Sequence, residues 1–369
     1  MPCTASRLSP VTLAARFLGL ALCIGACESG CGDDHTTVTR LPAIAAPPSM
    51  AGSVAEPAIE EDLNPRLVRR FKPLTVLISQ RSQALVDLGR VLYYEPLLSI
   101  DGRISCNSCH PLDHFGVTHT ALSTGVGGRL GRRNAPSTFN ASLQFAQFWD
   151  GRAISSREQV KGPLLNPGEM GMNEATLVTR LSAIEGYRRA FEAAFPTSPQ
   201  PISLESISLA IAEFERGLLT PARWDQYLAG DRTALSAREK EGAKVFANLG
   251  CMVCHEGQLL GGSMFQKVGV IIPWPNQADR GRGELSNNAV DDMTFKVPSL
   301  RNVANTGPYF HDGSVTTLAA AIQMMARHQL GVSLTDEEAS AIETWMGSLT
   351  GKVPEDYVRK PALPAARRP

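Results

Sequence analysis

Two short motifs of cysteine and histidine are the residues of this chain best suited to chemistry. Each has the pattern Cys-x-x-Cys-His, and together they comprise Cys106, Cys109 and His110 in the first motif and Cys251, Cys254 and His255 in the second motif. Two thiols at this spacing add to the two vinyl groups of one haem, and the adjacent histidine reaches the iron from the same side. We therefore predict two covalently bound haem c groups, with His110 and His255 as ligands of the two haem irons.

A zinc site and a thiol redox pair are the two alternatives for these cysteines. Zinc ribbons bring their second Cys-x-x-Cys about 15–20 residues after the first, whereas the two motifs here start 145 residues apart (251 − 106 = 145). A redox-active Cys-x-x-Cys normally lies in a strand–helix fold, and the apolar pattern of this chain is helical. Both comparisons favour haem attachment.

The elements that must position the two motifs are predicted to be helices, which gives an all-α fold class. Ile207, Ala210, Ile211 and Phe214 follow the i, i+3, i+4, i+7 pattern of one apolar helix face. Further helices are predicted at 75–94, at 174–195 with a break near Gly186, at 316–328, and after the capping boxes Ser236/Glu239 and Thr335/Glu338. Loops rich in Gly, Pro and Asn fill 111–150 and 256–300, and loops of that length are expected to wrap a bound cofactor.

A weak internal repeat indicates a duplicated unit. Residues 89–93 (GRVLY) run ahead of the first motif and residues 242–246 (GAKVF) run ahead of the second, as expected of two small c-type cytochrome units. We predict an N-terminal haem domain at 63–220 and a C-terminal haem domain at 221–352. Outside them, segments without a sustained apolar period are predicted to be a flexible tether at 27–62 and a disordered tail at 353–369.

Residues 1–26 have the features of a signal peptide for export. Arg7 and Arg16 accompany an apolar stretch at 17–26, which is too short to span a bilayer as a helix. Small residues precede Cys27 as in a bacterial lipoprotein cleavage box, and cleavage of an ordinary secretory signal nearby is the alternative. Both alternatives predict a periplasmic protein, and the first adds a lipid anchor through Cys27.

The charge balance excludes one class of partner. Lys plus Arg and Asp plus Glu both number 36, so the formal net charge is zero. Binding of nucleic acid requires a basic surface that neutralises phosphates. The sequence therefore predicts no nucleic-acid partner.

Four longer stretches carry a family resemblance that spans residues 88–349. They are LGRVLYYEPLLSIDGRISCNSCH, GRRNAPSTFNASLQFAQFWDGRA, EQVKGPLLNPGEM and FKVPSLRNVANTGPYFHDG. On these stretches the chain resembles the bacterial di-haem cytochrome c peroxidases, together with their MauG branch. The resemblance implies two cytochrome c-like helical domains with both haems near the domain interface, and an oxidoreductase that uses hydrogen peroxide.

The resemblance also implies that peroxide reacts at the haem of the first motif. Gln159 and Glu169 match the two polar residues on the open face of that haem, opposite His110. A carboxylate there can move a proton between the two peroxide oxygens, and an amide can orient the peroxide. A solvated acid in a surface loop is the alternative for Glu169.

At the second haem the resemblance implies an electron-transfer site ligated by His255 and Met325. Met324 is the neighbouring alternative in register, and His311 is expected to contact haem propionates. Trp149 matches an aromatic residue between the haems that serves as a stepping stone for electrons, with simple interdomain packing as its alternative. Asn134, Thr306 and Pro308 match residues that hold a Ca²⁺ ion through neutral oxygens.

One position departs from the family pattern. Other members carry a second histidine that caps the peroxide-reactive haem in the resting state, and Val126 stands at that position here. Valine cannot ligate iron, so we expect the first haem to be open without prior reduction. His114 and His119 lie in the same loop as out-of-register candidates for the cap.

Three functions follow from these expectations. The first is a peroxidase supplied with electrons by a small c-type cytochrome or a cupredoxin. The second is a MauG-like oxidase that uses peroxide to modify residues, such as Trp, of a partner protein; MauG has Tyr where Met325 stands, and a related branch keeps both the open haem and the His/Met haem. The third is a non-catalytic electron carrier, which an open haem disfavours. A homodimer is a further candidate state.

Overall fold

The computed structural model describes residues 62–74 and 82–364. The predicted signal peptide, Cys27 and all of the tether except its last residue lie outside these residues. Across the two described ranges, none of the helices combines the length and apolarity needed to cross a membrane.

Helices dominate the described residues and there is little sheet, which confirms the helical character predicted from the sequence. In chain order the helices are α1 (Pro65–Val68), α2 (Gln83–Tyr93), α3 (Cys106–Cys109), α4 (Ser156–Leu165), α5 (Glu174–Ser182), α6 (Glu185–Ala194), α7 (Leu204–Glu215), α8 (Arg223–Leu228), α9 (Ala237–Asn248), α10 (Gly283–Ser286), α11 (Leu318–Met325), α12 (Asp336–Gly347) and α13 (Glu355–Val358). A two-stranded antiparallel ribbon joins β1 (Phe265–Lys267) to β2 (Thr294–Lys296), with Phe265 opposite Lys296.

The helix boundaries follow local capping chemistry. Both predicted capping boxes are confirmed, Ser236 with Glu239 at the start of α9 and Thr335 with Glu338 at the start of α12. The helix predicted at 75–94 begins only at Gln83 within the described residues, where the Ser82 side chain caps it.

Two helix ends differ from the prediction. The break in 174–195 falls at Ala183 and Ile184 instead of Gly186, because Ile184 leaves helical geometry with its side chain in the core. The α-helix predicted to end at His328 ends at Met325. A π-helical turn over Ala326–Leu330 follows it directly.

The repeated glycines ahead of the two motifs occupy the same structural position. A Cβ on Gly89 of α2 would lie 1.9 Å from the carbonyl oxygen of Ala210 on α7. A Cβ on Gly242 of α9 would lie 1.9 Å from the carbonyl oxygen of Ala341 on α12. Each glycine therefore allows two helices to cross at close range just before a Cys-x-x-Cys-His motif.

The described residues form one compact unit with two large hydrophobic clusters. The first cluster centres on α2, α6 and α7, and the second on α9, α11 and α12. The N-terminal and C-terminal segments each pack on the cluster that is more distant in sequence. Leu63 and Phe71 pack in the second cluster, whereas Val358 packs in the first. The packing of these terminal segments therefore does not follow the predicted boundaries at 63 and 352.

The prediction of a disordered tail is wrong for residues 353–364. Tyr357 stacks on Phe214 with ring centroids 5.1 Å apart, and its hydroxyl donates to the Phe214 carbonyl at 2.7 Å. Tyr94 donates from its hydroxyl to the Val358 carbonyl. The composition of the tail obscured these two apolar anchors, which are enough to hold a short segment on the core.

Candidate functional site

The second motif opens onto a cavity of about 500 Å³, within the usual range for cofactor sites. Cys251, Cys254 and His255 line it from one side, and Met325 at the end of α11 also lines it. Two thiols, an imidazole and a thioether facing one largely apolar cavity are the donor set that a covalently attached haem requires.

His255 is held in the form that can ligate a metal. Its Nδ1 lies 2.9 Å from the carbonyl oxygen of Leu260, and a carbonyl only accepts, so Nδ1 carries the proton. The lone pair of Nε2 is then available for iron. Burial lowers the pKa of His255, which also favours the neutral imidazole.

Only one of the two neighbouring methionines lines the cavity. Met325 lines the cavity with His255, whereas Met324 packs in a separate cluster with Trp274 and Phe310. This placement supports Met325 as the second ligand predicted from the sequence.

Met325→Ala should lower the reduction potential of one haem and leave the other unchanged, because a thioether opposite histidine raises the potential. Redox titration followed by absorbance measures both potentials. Met324→Ala is the matched control and should leave both potentials as in the wild type. Unaltered potentials in Met325→Ala would show that Met325 does not ligate a haem iron.

The first motif has the same arrangement around its histidine. Cys106 opens α3, and Nδ1 of His110 lies 3.2 Å from the carbonyl oxygen of Gly116. Tyr93 donates from its hydroxyl to the His110 carbonyl at 2.8 Å and so fixes the end of the motif. Burial lowers the pKa of His110 and raises the pKa of both Cys106 and Cys109.

The cysteine geometry fits haem attachment better than the two alternatives. All four motif cysteines are free thiols, as addition to vinyl groups requires. Among the described residues, no group of three or more His, Cys, Asp or Glu side chains is placed to hold a metal ion by itself. The Cys-x-x-Cys pairs therefore lack the further ligands of a zinc site.

Glu169 and Val126 are brought together beside the first motif by two paired loops. The Val126 amide donates to the Glu169 carbonyl at 2.8 Å. A Cβ on Gly125 would lie 2.0 Å from the carbonyl oxygen of Gly168, so the loops touch through their backbones. Val126 is 6 % exposed. The position at which the resemblance places a capping histidine is thus a buried valine whose backbone is hydrogen-bonded to that of Glu169.

The Glu169 carboxylate is half-buried, unlike a fully solvated loop acid. Burial raises its pKa, while a hydrogen bond from Asn166 Nδ2 at 2.6 Å and the charge of Arg152 oppose that rise. Burial raises the pKa of Cys109, and the charge of Glu169 adds to the effect, which places the carboxylate near the first motif. A raised pKa suits a group that must both take and give a proton.

Gln159 lies on α4, the helix that leads into the Glu169 loop, and is half-buried. The hydrogen bond from the Met172 amide to the Leu164 carbonyl folds that loop back onto the end of α4. Within the described hydrogen bonds, none joins the side chain of Gln159 to Glu169.

The two loop histidines occupy other places. His119 Nδ1 lies 3.0 Å from the carbonyl oxygen of Gly307, and the His114 side chain is 59 % exposed beside Asp113. Their rings pair at 5.8 Å. Among the described contacts, neither ring meets Val126 or Glu169, so the structure lends no support to a histidine cap.

Trp149 lines the same cavity as the second motif and has a fixed orientation. Its Nε1 donates to the Asn134 carbonyl at 2.9 Å, and the Asn134 amide donates to the His311 carbonyl at 2.7 Å. The Trp149 and His311 rings are 6.4 Å apart. His311 is 3 % exposed, and its Nε2 has no hydrogen-bond partner among the described residues. An orphaned buried nitrogen in this cavity fits the predicted contact with a haem propionate.

The predicted calcium ligands Asn134, Thr306 and Pro308 all line the same cavity. Asn134 Nδ2 donates to the carbonyl oxygens of Thr120 and Ala121, both at 3.1 Å. The amide oxygen of Asn134 is therefore turned away from those carbonyls and remains available as a neutral ligand.

Two charged residues at this boundary were missed by the sequence reasoning. Arg133 joins the halves through Asp150 at 2.6 Å and Asp279 at 2.5 Å, and is largely buried. Lys296 is buried at the end of β2 and lines the cavity. A lysine in the apolar run Phe295–Val297 was the available signal, since unpaired lysine is almost never fully buried.

Comparisons with known proteins agree with this site. The family model described as di-haem cytochrome c peroxidase matches residues 83–233. The cytochrome c551 peroxidase of Nitrosomonas europaea is 38 % identical over 78 % of this chain and 85 % of its own. That of Pseudomonas aeruginosa is 37 % identical over 86 % of this chain and 94 % of its own.

A solved structure extends the likeness to the MauG branch. It is a MauG-like protein associated with microbial copper homeostasis, 28 % identical, with a TM-score of 0.69 over 79 % of this chain and 96 % of its own. The fold, the two motifs and the cytochrome c peroxidase relatives all agree on one assignment. The chain belongs to the di-haem cytochrome c peroxidase family, and as an oxidoreductase of that family it is implied to carry haem c.

Proposed function

We propose that this cytochrome c peroxidase-type enzyme reduces hydrogen peroxide beside the first motif with electrons that enter beside the second. When bound, haem c supplies the electron transfer and the cleavage of the O–O bond. The observation that carries the proposal is the buried Val126 paired with the Glu169 loop. A valine would give a haem at the first motif no ligand from this position, and the Glu169 carboxylate lies near enough to Cys109 to act on its pKa.

Three side chains near the first motif have separate roles in the proposed reaction. The Glu169 carboxylate takes a proton from the inner oxygen of peroxide and returns it to the outer oxygen, which leaves as water. Asn166 holds that carboxylate in place through the 2.6 Å hydrogen bond. Gln159 orients the peroxide by hydrogen bonding from α4.

The residues at the second motif suit electron entry. His255 and Met325 would hold the iron of the haem at the second motif, and a thioether ligand would raise its reduction potential and so favour electron entry there. Trp149 lines the cavity of the second motif, and its indole, which donates to the Asn134 carbonyl, is the proposed stepping stone toward the first motif. A small c-type cytochrome or a cupredoxin is the proposed donor.

The ferric holoprotein should show one high-spin and one low-spin haem by EPR and should react with peroxide before any reduction. Stopped-flow absorbance measures that reaction, and steady-state oxidation of reduced cytochrome c measures turnover. Two low-spin signals, with no peroxide reaction until reductant is added, would overturn the open-site proposal.

A MauG-like role is the second candidate, supported by the match to the MauG-like protein associated with microbial copper homeostasis. In that role the oxidising equivalents pass to a residue of a partner protein instead of being quenched by a donor. Negligible turnover with cytochrome c, together with a slowly decaying peroxide-oxidised spectrum, would favour it. Val126, which stands where the resemblance places a capping histidine, disfavours the third candidate, a plain electron carrier, because such a carrier needs two ligands for each haem iron.

Three further features belong to the proposal. Asn134 Oδ1 and the carbonyl oxygens of Thr306 and Pro308 are proposed to hold Ca²⁺ at the boundary, which chelation followed by metal analysis would test. The protein is proposed to be periplasmic, with a lipid on Cys27. Mass analysis of the mature amino terminus distinguishes that lipid from ordinary secretory cleavage.

A further inference from the structure

Lys296 is a buried cation in the cavity of the second motif, and the mechanism above assigns it no role. It ends β2, and its peptide N–H donates to the Trp149 carbonyl at 2.7 Å. Its ammonium donates to the side-chain oxygen of Gln144. The residue is 5 % exposed, and both Lys296 and Gln144 line the cavity that contains His255.

The charge of Lys296 is poorly compensated by the protein. Gln144 is neutral, and among the described residues no carboxylate forms an ion pair with this ammonium. Asp150 lies near enough to act on Lys296, but its carboxylate already pairs with Arg133 at 2.6 Å and with Arg152 at 3.0 Å. Burial lowers the pKa of Lys296 to about 8. A buried ammonium of this kind is stable when an anion is placed against it.

A second unsatisfied group faces the same cavity. His311 is 3 % exposed, its Nε2 lacks a hydrogen-bond partner among the described residues, and its ring stacks on Phe295 at 4.3 Å. Phe295 is the neighbour of Lys296 in β2. Trp149 touches both groups, since its carbonyl accepts from the Lys296 backbone and its ring lies 6.4 Å from His311. His311 is thus a separate buried polar group of this cavity, because the side chains of Phe295 and Lys296, as neighbours in a strand, point to opposite faces.

We propose that the Lys296 ammonium binds a propionate of the haem attached at the second motif. The inference rests on the haem attachment that family membership implies. The propionate supplies the anion that Lys296 lacks. Lys296 is a cofactor-binding residue in this assignment, and it acts on the electron-entry haem through charge.

The charge has a predictable effect on reduction. Reduction removes one positive charge from the iron, so an uncompensated propionate anion nearby stabilises the oxidised state. The Lys296 ammonium cancels that anion and keeps the potential of the second haem high. Because the pair is buried, the solvent screens it weakly.

The test compares three variants of the holoprotein with the wild type. Lys296→Met removes the charge, Lys296→Arg keeps it, and Lys267→Met removes an exposed lysine of β1 that lines the same cavity. Redox titration measures the potential of the low-spin haem, and mass spectrometry counts attached haems. We expect Lys296→Met to shift the oxidised-to-reduced equilibrium about tenfold toward oxidised, equal to about 59 mV for one electron. Lys296→Arg and Lys267→Met should stay near the wild type.

Several outcomes decide the proposal. An unchanged potential in Lys296→Met with two haems attached would overturn it without touching the proposed peroxidase function. Equal shifts in Lys267→Met and Lys296→Met would also overturn it, since the effect would then be general. If Lys296→Met loses the second haem while Lys296→Arg and Lys267→Met retain it, haem stoichiometry upholds the charge requirement. Equal loss of that haem in Lys296→Arg and Lys296→Met would overturn it.

Discussion

Replacing Glu169 with glutamine slows the reaction of the ferric enzyme with hydrogen peroxide by about 10²-fold or more, the usual scale for a proton-transfer group. The amide fills the same space and can still accept the hydrogen bond from Asn166, but it cannot take up a proton. Stopped-flow absorbance at several peroxide concentrations gives the second-order rate constant. Haem content and the EPR spectrum should match the wild type, which separates a lost proton carrier from a damaged site.

The proposed role of Glu169 also predicts how the rate of the reaction with peroxide depends on pH. Its carboxylate takes up the proton only when ionised, so the wild-type rate should fall as the pH drops through its pKa. Because burial raises that pKa, the fall should begin above the ordinary carboxylate range. Glu169→Gln should lack this acidic limb. Glu192→Gln, on the exposed face of α6, is the matched control and should keep both the rate and the limb. A wild-type rate in Glu169→Gln would remove this residue from the mechanism.

The second large effect is expected from Val126→His. The family resemblance places a capping histidine at this position in other members, and the loop that holds Val126 is already pinned to Glu169 by a backbone hydrogen bond. An imidazole there should ligate the first haem and convert its high-spin EPR signal to low-spin. If the imidazole occupies that position in about 99 % of molecules, the ferric enzyme reacts with peroxide about 100-fold more slowly.

Val126→Phe is the control for bulk in this experiment. It places a ring of similar size at the same position but offers no ligating nitrogen, so the high-spin signal should remain. Reduction of the second haem should restore peroxide reactivity in Val126→His, because the resemblance implies that reduction withdraws the cap. A high-spin signal and a wild-type rate in Val126→His would show that the 125–128 loop does not face the first haem.

The sequence predicted the parts of the site that depend on local spacing. Cys-x-x-Cys-His, the two capping boxes and the apolar face of α7 are short-range patterns, and each is present in the structure as expected. The choice of Met325 over Met324 depended on the family match. The structure supports it independently, because only the packing of α11 shows which thioether faces the cavity.

The features that the sequence did not predict depend on contacts between distant residues. Lys296 lies in an ordinary strand pattern. Its burial against Gln144 depends on the packing of the β1–β2 ribbon against the 111–150 loop, which is distant in sequence. Tyr357 and Val358 stand among prolines and charged residues, so local composition favoured disorder over packing. Gly89 and Gly242 were visible as a repeat, but their role at helix crossings appears only in three dimensions.

The packing of the terminal segments bears on how this protein could be divided. A fragment that stops near residue 220 would keep Leu63 and Phe71 while losing Trp224 and Trp345, the aromatic rings against which Phe71 packs. The complementary fragment would carry Val358 away from its pocket beside Tyr94. Each fragment would therefore expose apolar residues that pack against the other fragment in the intact chain. The internal repeat in the sequence thus does not correspond to two separable domains.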